Sequence, residues 1–591
     1  MKKFYRYTVT AIGLLPILVG VAPSLAAFPR PRQSQNGMVT SAHPLATQAG
    51  VLMLQQGGNA IDAAVATTLA ISVVEPFAAG IGGGGFAIVK VGKNVETLDF
   101  RERAPQKASR NMYLDAQGKV RPNASLEGHL AAGVPGTIAG LAALHQKYGK
   151  LPWRTVVAPA IKIAREGFTV SELYTVQAKS KQKLLASNAA ARQIFTRNGK
   201  PLQPGERLIQ RDLAQTLTAI ARNPQNFYTG SIARSIDRDM RQNQGLITIA
   251  DLKSYRPKWR AALCGKFRQY NVCSMAPPSS GGVHLIQILN TIGSTDLAKL
   301  GWRSPEALHL LIESMRIAYA DRSAHLGDPD FTNVPVAALV NPAYAASRRQ
   351  EIAPDKARRS TAVKPATTEI LQPFLRSEAV PKSDRQKQFL TAAAPMSESM
   401  DTSHLNVVDK QRNVVSLTFT VNYRFGAGVV VPGTGILLND EMDDFAIAPG
   451  VPNVFGLVGG EKNSILPGKT PLSSMTPTIV TENDRFRLAI GAPGGSTIIT
   501  TVLQVLLNVL EYKMDVGAAV AAGRIHHQWL PDKVNVEPWG FDTSTLAELR
   551  RRGHSIQQIE YWGNANAIEQ LPSGYLSGAA DPRGEGTAGG L

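Results

Sequence analysis

In Asp401-Thr402-Ser403-His404 a hydroxyl residue stands at the threshold of a strand pattern. Apolar and polar residues alternate over 405–408 and again over 414–421, and Asp409-Lys410-Gln411-Arg412-Asn413 between them has the composition of a hairpin turn. Thr402 is therefore expected at the lip of a β-hairpin. A threonine hydroxyl is a poor nucleophile near neutral pH. If the bond before it is cut, its own α-amino group, with a reference pKa of roughly 8, can take the proton directly or through a water. Cleavage between Asp401 and Thr402 would create base and nucleophile together. The plain alternative is one more threonine at a strand start. Upstream, from about residue 348 to 401, the chain is charged, rich in Pro, Ala and Ser and without sustained apolar periodicity, which predicts a mobile, exposed linker.

Other residues carry partial chemical signals. Gly494-Gly495 precede an apolar helical pattern over 498–510, and a glycine pair at a helix start leaves backbone N–H groups free to face a developing oxyanion. Arg101 ends a short strand pattern over 94–100, where an arginine is ordinarily a solvated charge. The glycine run over 80–85 follows a helix and leads into a strand, the reverse of a dinucleotide fold, and it lacks the Lys-Ser/Thr of a P-loop. It reads as a place where backbones approach closely. Pro277-Pro278-Ser279-Ser280-Gly281-Gly282 is assigned to structure as a turn before a helix over 283–292. There is no spaced His/Cys/Asp set for a metal, no His-Glu-x-x-His and no Gly-x-Ser-x-Gly elbow, and the chemistry outlined needs no cofactor.

Asp401-Thr402-Ser403-His404, Thr420-Val421-Asn422, Gly435-Ile436-Leu437-Leu438-Asn439 and Met442-Asp443-Asp444-Phe445 together resemble the start of the small subunit of γ-glutamyltransferases (γ-glutamyltranspeptidases). The likeness runs from about Ala42 to Asp581-Pro582-Arg583-Gly584. It implies an N-terminal-nucleophile hydrolase: an α+β, four-layer αββα sandwich built from both pieces of a self-cleaved precursor. It also implies roles. Arg101, Ser473 and Ser474 would take the α-carboxylate of a γ-glutamyl group, and Asn422, Glu441 and Asp444 its α-ammonium. Thr420 would orient Thr402, the nucleophile, while the Gly494 and Gly495 amides hold the oxyanion. The reaction implied is transfer of the γ-glutamyl group of glutathione and related amides to water or to an amino-acid or peptide amine through a Thr402 ester. Asp443 is expected to support the loop that presents Asp444. His404 is expected to be a packing or hydrogen-bonding residue, because neighbours along a strand point to opposite faces. The loop over 447–469 is long and rich in Gly, Pro and Asn, the usual description of a lid. In Val451-Pro452-Asn453-Val454-Phe455 the last position is often Tyr in lidded bacterial relatives, where its hydroxyl latches onto the asparagine matching Asn422. Phe455 cannot make that bond, so a lid held by packing alone is expected. Within the fold, the rival is an acylase for glutaryl or cephalosporin-type amides. Outside it, the rival is an exported, uncut binding protein without catalysis.

The elements that must position these groups are legible in outline. Patterns predict helices over 44–57 and 60–74, the second apolar nearly all round and so buried between layers. Strands are expected over 87–91, 94–100, 478–482 and 486–491, amphipathic helices over about 154–260, and a further helical pattern over 306–322. Cys264 and Cys273, the only cysteines, flank a plausible hairpin; a cross-strand disulfide is the natural reading in an oxidising compartment, two buried thiols the other.

The composition fits an exported globular enzyme. Apolar residues make up 43% and charged ones 18% of 591 residues, too many residues for one ordinary single-core domain. A basic start, an apolar run over 8–21 and small residues at 24–26 read as a secretory signal over 1–26, or else as a retained anchor. The expected organisation is then a large subunit over 27–401 and a small one over 402–591, a heterodimer in the periplasm or outside the cell. From Thr402 onward 14 Lys and Arg face 18 Asp and Glu, a net −4, so residues 1–401 carry +23 of the total +19. The basic charges are dispersed and aromatics are 6%, with no nucleic-acid-binding motif, which argues against nucleic acid as a partner.

Overall fold

The computed structural model describes residues 30–375, 401–448 and 450–591. The leader expected over 1–26 and the linker from 376 to 400 lie outside the described residues. Among the described residues, no helix is long and apolar enough to cross a membrane.

Two seven-stranded sheets face each other. In the first, the hairpin formed by Ser403–Asp409 and Val414–Thr420 occupies the middle. Strands Gly37–Ser41 and Gly84–Val91 flank it, Thr587–Gly590 and Asn94–Asp99 lie next, and Lys258–Ala261 closes the far edge. The register is antiparallel throughout, with Leu405 opposite Leu417 and Ser41, and Thr420 opposite Gly84. The second sheet holds Thr478–Glu482 and Arg485–Gly491 at its centre, with Asn566–Gln570 on one side and the hairpin Leu263–Phe267 and Tyr270–Ser274 on the other. Cys264 and Cys273 stand opposite each other in that hairpin and are joined by a disulfide.

Strand period 2 sorts the hairpin's side chains into two apolar layers. Leu405, Val407, Leu417 and Phe419 pack against the helix Ala60–Val74, whose fifteen residues are all buried. Val408 and Val414 point the other way and meet Ile479, Phe486, Ala489 and Ile568 of the second sheet. Beyond that sheet lie Gly281–Ile292, Pro305–His325 and Ile498–Leu510, which enclose a third apolar layer. Helix, sheet, sheet and helix thus form the four-layer αββα sandwich. Because the hairpin lies between strands from the N-terminal part, a cut before Thr402 leaves two interleaved pieces sharing every layer.

Local chemistry sets the element ends. Asn59 caps Ala60–Val74 in a capping box with Asp62, and Asp409 of the hairpin turn accepts the Ala60 amide at 3.1 Å. That bond ties the turn to the positive end of the buried helix. The glycine run packs as its composition suggests: a Cβ on Gly83 would lie 1.8 Å from the Thr420 carbonyl oxygen, and one on Gly82 2.0 Å from that of Leu437.

The expected mobile linker needs correction over 348–375. Ser360, Val363, Ala366 and Leu371 are buried. Trp529 donates to the Ser360 carbonyl at 2.8 Å, the Ser360 amide donates to Asp532 at 2.8 Å, and the Ala366 amide to Asp321 at 2.8 Å. Anchors 45 to 172 residues away along the chain hold a segment that has no periodicity of its own.

The close approach at Gly83 generates a prediction. Gly83→Ala drives a methyl group into backbone that cannot rotate away, at a cost of at least about 1–3 kcal/mol. Thermal melting should fall and fragment formation on a denaturing gel should slow; unchanged values for both would show that the contact is not tight.

Candidate active site

Thr402 follows Asp401 with φ of 113°, a region that β-branched residues rarely adopt. The uncut bond is held in a strained backbone, and cutting it abolishes that torsion. Thr402 Oγ1 donates to Thr420 Oγ1 at 3.1 Å. Thr420 is fixed in turn: its hydroxyl donates to the Ala78 carbonyl at 3.3 Å and accepts the Asn422 amide at 2.9 Å. Behind Thr402, Ser403 donates to Glu75 at 2.7 Å; burial pushes the Glu75 carboxyl up to about 7.

His404 is fully buried, and both ring nitrogens are engaged, by Thr418 at 2.8 Å and Asn406 at 3.1 Å. Burial lowers it to about 3, so it stays neutral. Residues 402 and 404 share a face by period 2, so strand alternation does not turn His404 away from Thr402. What occupies His404 is its pair of hydrogen bonds.

One pocket is lined by Thr402, Thr420, Asn422, Arg101, Glu441, Asp444, Ser473, Ser474 and Gly495, with Phe455, Leu457, Met475 and Ile498. It gathers every expected substrate-facing residue except Gly494, the neighbour of Gly495. Arg101, at the end of the strand Asn94–Asp99, is buried, and Tyr255 donates to its carbonyl at 2.8 Å. Its Nη2 lies 2.7 Å from Glu441 and 2.5 Å from Asp444, while Nη1 is 3.9 Å from Glu102. Burial pushes Glu102 up to about 7 and Glu441 well above the usual carboxylate range, although Arg101 opposes both shifts. Three acids around one guanidinium leave room for another cation. Arg101 Nε and Glu441 Oε2 have no hydrogen-bond partner among the described residues, as expected of polar groups awaiting a ligand. The expected carboxylate-binding and ammonium-binding groups are thus one bridged ion cluster, not two patches.

Surrounding loops hold the cluster in shape. Asp443 accepts from Ser125 at 2.7 Å and from the Val454 amide at 3.1 Å, which fixes the 3₁₀ turn Glu441–Asp444. The Pro-Pro-Ser-Ser motif pairs with the serine loop: the Ser280 amide donates to the Ser473 carbonyl at 2.8 Å, and the Ser473 amide to Pro278 at 2.9 Å. Gly494 and Gly495 have φ of 128° and 54° and lead into a 3₁₀ turn, Gly495–Thr497, ahead of the helix Ile498–Leu510. Neither glycine amide donates to a group among the described residues.

The lid is held by more than packing. Asn453 Nδ2 donates to Asp444 Oδ1 at 3.1 Å, the Val454 amide to Asp443, and Gln528 Nε2 to the Phe455 carbonyl at 3.2 Å. The Phe455 ring covers Gly495, where an added Cβ would come within 2.4 Å of it. Polar contacts to Asp443 and Asp444 thus hold this loop beside the pocket.

Sequence reasoning attached no role to Glu75, Glu102, Lys181, Arg424 or Asp440. Glu102 adjoins Arg101 in the chain, and Glu75 is a lone acid ending an apolar helix; those were the available signals. Arg424 and Lys181 come together only in the fold.

A model of the gamma-glutamyltranspeptidase family matches residues 46–591. The glutathione hydrolase proenzyme of Escherichia coli (strain K12) is 44% identical over 556 residues, which cover 94% of this chain and 91% of that protein. A crystal structure of cephalosporin acylase from Bacillus halodurans is similar with a TM-score of 0.82 at 28% identity, over 97% of this chain and 99% of that one. The crystal structure of Helicobacter pylori gamma-glutamyltranspeptidase is 45% identical with a TM-score of 0.54, over 55% of this chain and 94% of that one. With a family match across nearly its whole length and an N-terminal-nucleophile hydrolase fold, the chain belongs to the γ-glutamyltranspeptidase family.

Proposed function

We propose that this chain is a self-processing γ-glutamyltransferase and glutathione hydrolase. The observation that carries the reading is that Thr402 shares one pocket with the Arg101–Glu441–Asp444 ion cluster. Similarity to the Escherichia coli glutathione hydrolase proenzyme supports it. In this reading Arg101, Ser473 and Ser474 receive the α-carboxylate of the donor, and Asn422, Glu441 and Asp444 receive its α-ammonium. A glutamate head brings one charge of each sign, so the cluster gains a cation for its surplus acids and an anion for Arg101. Both charged ends are then gripped, leaving the γ-carbonyl directed at Thr402.

After the Asp401–Thr402 bond is hydrolysed, Thr402 carries a free amine beside its hydroxyl. The amine takes the hydroxyl proton as Oγ1 bonds to the γ-carbonyl carbon, and Thr420 keeps Oγ1 in place. Charge developing on the carbonyl oxygen is received by the Gly494 and Gly495 amides. Collapse expels the amine product with that proton and leaves a γ-glutamyl ester on Thr402. Water or the amine of an amino acid or peptide then attacks the ester. Kinetics are ping-pong in consequence. The subunits are 27–401 and 402–591, held as a heterodimer by shared sheets, and residues 1–26 direct export to the periplasm or beyond. A glutaryl or cephalosporin acylase would have no use for the ammonium-binding acids at 441 and 444.

Asp444 joins substrate binding to the lid, because one carboxylate oxygen faces Arg101 while the other accepts Asn453. A bound ammonium at Asp444 therefore competes with or reinforces the same carboxylate that holds the lid.

The purified protein should show two fragments, the smaller beginning at Thr402 by terminal sequencing. Thr402→Ala should remain one chain and release no chromophore from a γ-glutamyl anilide; normal cutting or turnover would remove Thr402 from its role. Arg101→Lys keeps the charge that balances the buried acids but loses the planar fork. It should raise KM for γ-glutamyl donors tenfold or more, as befits a charge-assisted bond worth roughly 1.5–3 kcal/mol; an unaltered KM would place the carboxylate elsewhere. Asn453→Ala should raise amide hydrogen exchange over 451–457 several-fold, and exchange equal to wild type would show that the lid does not rely on Asp444.

A further inference from the structure

Asp401, the residue before the cut, is held in a small cationic cluster outside the glutamate pocket. Its carboxyl is buried, with Oδ1 3.3 Å from Arg424 Nε. Lys181 Nζ lies 4.2 Å above the Tyr423 ring and also acts electrostatically on Asp401. Tyr423 is edge-on to Phe455, ring centres 6.2 Å apart, so the cluster borders the wall of the pocket. Asp440, also buried, accepts the Tyr423 amide at 2.9 Å, and burial drives its carboxyl well above the usual range. Asp440 and Asp401 both act on Lys181, whereas the ion pair of Arg424 is with Asp401.

The fit of Asp401 is poor for a carboxylate. One oxygen approaches Arg424, while Oδ2 is buried without a hydrogen-bond partner among the described residues. Burial pushes this carboxyl up to about 7 despite the two cations. The chain imposes the arrangement, since the peptide bond to Thr402 leaves the side chain no freedom to present both oxygens. When water is added across that bond, residue 401 gains a second carboxylate, Thr402 gains an ammonium and the tether is gone. The released acid regains hydration by leaving, and Arg424 loses the ion pair it makes among the described residues, with Lys181, still facing Asp440, beside it.

We propose that the cationic seat vacated by Asp401 becomes the subsite for the carboxylate of the acceptor peptide, and of the amine product that leaves before it. The proposal rests on the γ-glutamyltransferase reading and adds the residues that recognise the free C-terminal carboxylate of the acceptor. An untethered carboxylate can meet the Arg424 fork with both oxygens. Reach is adequate, because a dipeptide spans at most about 7 Å, the order of distance from an ester on Thr402 to a group beside residue 401. One cluster thus serves twice, holding the scissile residue before the cut and orienting the attacking amine after it.

The test uses the processed wild-type enzyme with a γ-glutamyl anilide donor, and compares glycylglycine with glycylglycinamide as acceptors, transfer products being quantified by mass. The two differ chiefly in the terminal carboxylate. KM for the amide should be at least tenfold higher, and the ratio should fall towards one in Arg424→Gln. Should Arg424→Gln fail to cut itself, Lys181→Met gives the second measurement, with a partial fall in the ratio expected. Equal KM values in the wild type would overturn the proposal, as would a preference for the free acid that persists undiminished in both variants. Donor hydrolysis without transfer to either acceptor would also overturn it while leaving the parent reading intact. Absence of both cutting and hydrolysis would remove the two together.

Discussion

The hydrogen bond between Thr402 and Thr420 closes the open end of the central hairpin, and the site is arranged around it. The bond exists because two strands pair in one register, so that the residue before Ser403 meets the last residue of Val414–Thr420. A slip by one position would turn every side chain of a strand to the other face. Burial on both faces prevents that slip, with Val407 and Leu417 committed to the helix layer and Val408 and Val414 to the gap between sheets. Thr420 is then clamped by close backbone contact with Gly83. The position of a single oxygen atom is thus set by the largest apolar layers in the molecule.

Charge imposes a second constraint. Arg101 is buried, as are Glu102 and Glu441, and ions so placed are costly unless paired. Here the acids outnumber the cation, a poor arrangement for an empty core and a suitable one for a zwitterion carrying an ammonium and a carboxylate. In the proposed reading, specificity for a glutamate head rests on that imbalance more than on any single bond. The lid shares in it through Asn453 and Asp444, so closure and occupancy are linked by one carboxylate.

Interleaving explains how a severed chain could remain one enzyme. The hairpin after Thr402 lies between strands contributed from before it, and the C-terminal strand Thr587–Gly590 pairs with Gly37–Ser41. Cutting therefore removes one covalent bond and no sheet pairing. The segment 348–375 stays packed through Trp529, Asp532 and Asp321. The unusual φ of Thr402 lies next to the bond that the proposed processing would break.

The sequence by itself determined the hairpin and the helix Ala60–Val74, because each rests on local periodicity; it offered the Cys264–Cys273 disulfide as one of two readings, and the αββα order followed from the resemblance to γ-glutamyltransferases. It offered Thr402 as a hydroxyl that could become a chain terminus, while Arg101 and the acids at 441 and 444 were marked only through the resemblance. Tertiary structure alone decided that Arg101 is bridged by those acids, that Asn453 pins the lid to Asp444, that residues 348–375 are packed and that His404 has no free nitrogen. Arg424, Lys181 and Asp401 met only there as well. Each of these depends on side chains that meet only when loops and sheets pack, some of them close along the chain and some far apart, and no spacing rule relates positions whose distance is set by that packing and not by the geometry of a single helix or strand.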